Sequence, residues 1–251
     1  MPRELNSGTP TADPRRTERG AALFVLLAVF LMAGVSLAIE ALLIKSKRQR
    51  ADQKAAIVLA EAKRALIAHA ALDAGNRTQF GHLPCPFTGT PAQYATSALE
   101  NTPCGAADDR MVIGFLPWQS LGLPPLYDGD GAPVWYAVAG TFKTGSDQTM
   151  PYTCTTSNLT LNGAGNHAAI LIAPGDPLET QQRPPTSSAA TLRTHYLEGR
   201  NATASTTSTT PPIDFENARI VLSSTDGTPF NDRLLTITCA EITGAVNQMP
   251  P

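Results

Sequence analysis

The sequence predicts an α+β protein in which one long N-terminal helix packs on an antiparallel β-rich head. Three observations carry the prediction. The run AALFVLLAVFLMAGVSLAIEALLI at 21–44 contains only Ser36 and Glu40 as strongly polar residues, and the stretch after it, up to residue 74, has neither Pro nor Gly. Past Gly75 and Asn76 the helical period fades into short apolar runs bounded by turn residues. The chain of 251 residues holds 21 Pro and 19 Gly and is only 16% charged, a composition of short strands and many turns around a core drawn from its 42% hydrophobic residues.

Taken in order, residues 1–20 form a charged leader ending in Gly20. Residues 21–44 read as a membrane-crossing helix: at 1.5 Å per residue they span about 36 Å, more than the roughly 30 Å of a hydrocarbon core. A cleaved secretory signal has an apolar stretch of only roughly 7–15 residues and a polar chain after its cut, and here the run is longer and continues as helix. Arg15, Arg16 and Arg19 precede it and Lys45, Lys47, Arg48 and Arg50 follow it, so the balance of basic flanks leaves orientation open. Residues 45–75 form a stem in which Ile57 or Val58, then Ala62, Leu66 and Ala70, recur at three or four, the spacing of one apolar helix face. Gly75 with Asn76 supplies its stop. Together the two segments make a helix about 80 Å long.

The head is 76–251, with strands expected at 111–116, 134–139, 168–173, 218–223 and 234–239. Eleven of the 19 Lys and Arg and seven of the 21 Asp and Glu precede residue 75, so the N-terminal part is net positive and the head net negative, the whole chain standing at -2. That balance excludes a nucleic-acid-binding composition. All four cysteines, Cys85, Cys104, Cys154 and Cys239, fall in the head without CxxC spacing, which fits disulfides in an oxidising compartment. The head then lies outside the cytoplasm and the leader inside. Four cysteines permit three pairings; a Cys85–Cys104 bridge would close one loop, with Cys154 and Cys239 as the second pair.

The charged leader ending in Gly20, the phrase RGAALFVLLAVFLMAG, the Ala-rich stem and the cysteine-bearing β head together resemble the type IV pilin and type II secretion pseudopilin precursors, closest to minor and tip-type members. The resemblance extends to the head. DGDGAPVWYAV at 128–138 is similar to the D-G-x-G-x-P-aromatic turn and strand of pseudopilins, with Asp130 where a tryptophan is usual, and AAILIAPG, HYLEG and NDRLLTIT look like phrases of a bacterial pilin-like group. It implies cleavage between Gly20 and Ala21 by a prepilin peptidase, methylation of Ala21, and assembly with other pilin or pseudopilin subunits by an inner-membrane platform. Most of the family carry Glu as the fifth mature residue, where this chain has Val25; Glu40 lies some four turns deeper. A subunit without that Glu suits the filament tip or the initiating complex.

Asp128 and Asp130 in DGDG are oxygen donors two residues apart, as calcium requires, but no Glu closes an EF-hand, and a tight Gly-rich turn is the simpler reading. His82, Cys85 and Cys104 have no recognised zinc spacing. The remaining histidines, His69, His167 and His195, stand singly, and no nucleophile elbow, HExxH or phosphate loop occurs. Trp118, Trp135 and Tyr136 read as core, although Trp135 and Tyr136 point to opposite faces of a strand and leave one of them open to an interface. NATASTTSTTPP at 201–212 reads as a mobile polar loop. Ala28, Ala33, Gly34, Ser36 and Ala38 are small enough for helices to approach closely in lipid.

The expected protein is therefore not an enzyme and needs no cofactor, with calcium at Asp128 and Asp130 as the alternative to a plain turn. It is a single-pass bacterial inner-membrane subunit with its head in the periplasm, reaching the cell surface once assembled, and without a nucleic-acid partner. The alternative is a signal-anchored periplasmic binding or envelope protein that never polymerises.

Overall fold

The computed structural model describes residues 15–72, 81–104, 110–145, 159–179, 181–206, 213–218, 220–221 and 227–248, with the side chains at 15–22, 37, 38 and 41 outside that description. The chain divides into two compact units, Met1–Gln49 and Arg50–Pro251. Helix α1, Arg15–Leu72, is continuous through 58 residues, which follows from a sequence with no proline after Pro14 and only Gly20 and Gly34 as interior glycines. Its backbone is already helical before Gly20, and the expected stop at Gly75 and Asn76 lies outside the described residues.

Among the described residues no helix is long and apolar enough to cross a membrane. Within 21–44 the unbroken run of described side chains is 23–36, about 21 Å at 1.5 Å per residue. The expected transmembrane span is thus not returned by the described residues and stands on the sequence alone.

In the second unit the α1 stem has one buried face: Ala51, Ala55, Val58, Leu59, Ala62, Leu66 and Ala70 are all at most 8% exposed. Of the two alternatives at the start of the stripe, Val58 is the core residue and Ile57 faces solvent at 64%. Their neighbours are six strands, β1 (Val112–Phe115), β2 (Trp135–Val138), β3 (Leu159–Leu161), β4 (Ala164–Ala173), β5 (Ile213–Phe215) and β6 (Arg233–Thr238), with short helices α2 (Pro91–Tyr94), α3 (Ala189–Tyr196), α4 (Gly199–Thr203) and α5 (Cys239–Asn247). The sheet order is β1-β2-β4-β3-β5, and β6 also pairs with β4. β4 is the hub: antiparallel to β2 through Trp135↔Ile172 and Val138↔Ala169, to β6 through Ile170↔Thr236, and to β3 through Leu159↔His167. The β3–β5 pair is parallel, so the sheet is antiparallel-rich and not wholly antiparallel.

Four of the five expected strands are present as β1, β2, β4 and β6. The fifth, over 218–223, is only a bridge between Val221 and Phe230 among the described residues. Cys239, expected to end the last strand, instead begins α5, whose capping box joins Thr238 and Glu241 reciprocally. β3 turns into β4 through Asn162 and Gly163, with φ of 51° and 73°, the paired left-handed conformation that an Asn-Gly hairpin supplies at low cost.

Trp135 and Tyr136 are both fully buried and Trp118 is 9% exposed, so neither face of β2 is open to an interface. The Trp135 ring lies 4.7 Å from Phe115 and 5.6 Å from Tyr196. The run at 201–212 does not begin as a mobile loop. Asn201 is fully buried within α4, its Nδ2 donating to the Glu216 carbonyl at 3.0 Å and its Oδ1 accepting from Glu216 N at 2.8 Å; 207–212 lie outside the described residues.

Candidate functional site

In the first unit the described side chains of α1 present an exposed apolar surface. Every large apolar residue described from Leu23 to Ile44 is exposed, from 51% at Ile39 to 73% at Phe24 and Met32. Leu23, Phe24, Val25, Leu26 and Leu27 are consecutive and at 3.6 residues per turn cover the whole circumference, so the helix is hydrophobic all round. Ala28, Ala33, Gly34 and Ser36 lie exposed on it. A Cβ added at Gly34 would meet nothing within 4 Å, so nothing within the described chain uses the smallness of that position. The Ser36 hydroxyl donates to the Met32 carbonyl at 2.9 Å. The side chains of Gly20, Ala21 and Ala38 lie outside the described residues.

In the second unit DGDG is a turn docked on the stem. Asp128 is 1% exposed; its Oδ1 accepts from Asp130 N at 2.9 Å and Ala132 N at 2.8 Å, and its Oδ2 accepts from Gly175 N at 2.8 Å. Both carboxylate oxygens therefore bind backbone donors, and the side chain joins its own turn to the loop after β4. Asp130 is exposed. No group of three or more acidic, histidine or cysteine residues that could hold a metal is present among the described residues. Gly129 approaches α1 so closely that a Cβ there would stand 2.2 Å from both Cα and O of Ala51.

Cys85 and Cys104 form a disulfide with Cα atoms 5.5 Å apart. Cys239 is also disulfide-bonded; its expected partner Cys154 lies outside the described residues. The stem is held to β6 and α5 by polar ties. Lys63 Nζ sits 2.6 Å from Glu241 Oε1 and donates to the Thr236 carbonyl at 2.8 Å, and Asp52 pairs with Arg233.

A buried carboxyl pair, Glu198 and Asp232, lies beyond α3. Glu198 Oε2 accepts from Asn231 N at 3.0 Å and Asp232 N at 3.1 Å, while its Oε1 accepts from Gln181 Nε2 at 2.7 Å. Asp232 Oδ2 accepts from Glu198 N at 3.1 Å and Asn201 Nδ2 at 2.8 Å. Burial and then the Glu198 charge push the Asp232 carboxyl well above its usual range, and burial also raises Glu198. Asp232 is fully buried and Glu198 7% exposed, so the pair is sealed from solvent and ties segments of the fold together. Arg183 nearby donates to the Gly175 carbonyl at 2.6 Å and stacks 4.5 Å from the Tyr196 ring centroid. Sequence reading misses this network because its members are scattered from 175 to 232 and only tertiary pairing unites them.

One open groove of about 370 Å³ runs between the stem and β6, lined by Ala56, Leu59, Ala60, Asn217, Arg233, Leu234 and Leu235. Comparison with protein-family models, with curated proteins and with solved structures returns no match.

Proposed function

We propose that the chain is a pilin-like structural subunit of the minor or tip type, serving a type IV pilus or a type II secretion pseudopilus. The observation that supports the reading is that every large apolar residue described on α1 from Leu23 to Ile44 is exposed, by 51% or more. A monomeric protein in water rarely leaves so large an apolar patch uncovered, and a surface apolar on all sides suits hydrocarbon first and neighbouring helices afterwards. The 24 residues at 21–44 are long enough for a bilayer. Gly20 directly before them supplies the junction a prepilin peptidase would cut, leaving Ala21 as the mature N-terminus.

In this reading the subunit waits in the bacterial inner membrane with its head in the periplasm, where the Cys85–Cys104 disulfide is stable. An assembly platform then moves α1 from lipid into a bundle with other pilin or pseudopilin helices, Ala28, Ala33, Gly34, Ser36 and Ala38 allowing close approach. Val25, apolar where most of the pilin family carry a carboxylate, suits a position at the tip or in the initiating complex. Catalysis, a cofactor and nucleic acid have no part in this role.

The test is fractionation followed by labelling. The full chain sediments with membranes after an alkaline wash and is released by detergent, and antibody to the head marks filament ends. Recovery in the soluble fraction overturns the membrane reading, and label along entire filaments overturns the tip position.

A further inference from the structure

We propose that Glu40 forms an intermolecular ion pair with Lys47 of a second copy of this chain, fixing a seven-residue stagger of about 10.5 Å between two parallel α1 helices. The inference rests on the assembly reading above, with two copies meeting in the initiating complex, and adds to it a partner, a register and the two side chains that set it.

Glu40 is the only ionisable residue in 21–44. Along a helix a carboxylate reaches positions three and four away, which here are Ser36, Leu37, Leu43 and Ile44. The Ser36 hydroxyl donates to Met32 O at 2.9 Å, and the other three side chains have no donor. Glu40 is exposed, and among the described residues it has neither a hydrogen bond nor an ion pair. A lone carboxylate on an apolar helix is costly in lipid or between helices unless a cation meets it. On its own helix none stands within that reach.

The complementary cation has the same deficiency. Lys47 is exposed, and its neighbours at three and four are Leu43, Ile44, Arg50 and Ala51, a like charge and no acid. Arg48 has Asp52 four residues on, and Asp52 in turn pairs with Arg233. Lys45 and Arg50 lie five and ten residues from Glu40 and so about 140° and 80° around the helix from it, whereas seven residues fall only about 20° short of two full turns. A seven-residue slide therefore returns the same helix face to the contact. It sets the apolar run 23–37 of one copy against 30–44 of the other and places Glu40 beside Lys47. Pairing without a slide would set Glu40 against Glu40, two like charges.

Cysteine cross-linking tests this while keeping both charges. Full-length copies carrying Ile39→Cys and, separately, Ser46→Cys are co-expressed with different tags, and membranes are treated with a short bis-maleimide. The 39-to-46 adduct should exceed the 39-to-39 and 46-to-46 adducts severalfold. Adding Glu40→Lys or Lys47→Glu to both copies should lower it at least fivefold, and combining the two substitutions should restore it to within twofold. Dominance of the 39-to-39 adduct, absence of any adduct from membrane-embedded protein, or failure of the combined variant to restore cross-linking overturns the pairing; the last result is the one expected if Lys47 serves lipid phosphate instead. Protein missing from the membrane fraction overturns the assembly reading, and this inference falls with it.

Discussion

Replacing Gly129 by Ala probes the docking of the head turn on the stem. The added methyl would lie 2.2 Å from Ala51 Cα, 2.2 Å from Ala51 O and 2.4 Å from Ala51 C. These are helix backbone atoms and cannot rotate aside as a side-chain end would. Ordinary contact at about 3.4 Å or more requires the turn to move away by more than an ångström, straining the hydrogen bonds that Asp128 makes to Asp130, Ala132 and Gly175. Overpacking of this kind costs about 1–3 kcal/mol, against which the smaller entropy of the unfolded Ala chain returns about 0.4–1 kcal/mol. The net expectation, taken at the middle of these ranges, is a loss of about 1.3 kcal/mol. Urea unfolding of the full chain in detergent, followed by the fluorescence of buried Trp118 and Trp135, measures it. Gly34→Ala, where a Cβ meets nothing within 4 Å, is the control. A Gly129→Ala midpoint equal to wild type would refute the close approach.

Asp232→Asn tests the buried pair: the folded state keeps a proton on Asp232 above its ordinary value of 3.8 and the unfolded chain releases it, so wild-type stability falls as pH rises from about 4 toward the raised folded value. The variant should show a flatter urea-stability profile against pH, and parallel profiles would contradict the assignment. Replacing Cys85 and Cys104 together by Ala, across a separation of 19 residues, should cost about 3 kcal/mol, read from urea midpoints beside a wild type kept oxidised; equal midpoints would deny the bridge a stabilising role. The Tyr136 hydroxyl is buried with no hydrogen-bond partner among the described residues, so Tyr136→Phe should be neutral or stabilising by up to about 1 kcal/mol, and a loss above about 1 kcal/mol by the same assay would show that the hydroxyl is satisfied.

What the sequence made legible followed periodicity. The stem face of Val58, Ala62, Leu66 and Ala70 is readable because its 3.6-residue repeat is what burial selects; β1, β2 and the buried part of β4 are readable as apolar runs, and β6 as a β-branched and apolar stretch bounded by turn residues. β3 and β5 are three residues each, too short for a periodic signal, although Asn162-Gly163 marks the β3–β4 turn. α5 is disguised by the strand before it, its sole local signal being the box from Thr238 to Glu241. Ser188 makes no side-chain cap hydrogen bond at the start of α3, which leaves that helix without a sequence signature. The turn reading of DGDG was available from composition, but the burial of Asp128 and the contact of Gly129 with Ala51 depend on residues nearly eighty positions apart. The carboxyl pair spans 34 positions, and no local pattern announces it.

The mass of the N-terminal peptide, taken from membrane-extracted protein of a host carrying the assembly system, tests the central claim most directly. A chain beginning at Ala21 with one added methyl group is the predicted result. An intact leader from Met1, or a cut inside the apolar run, would contradict it.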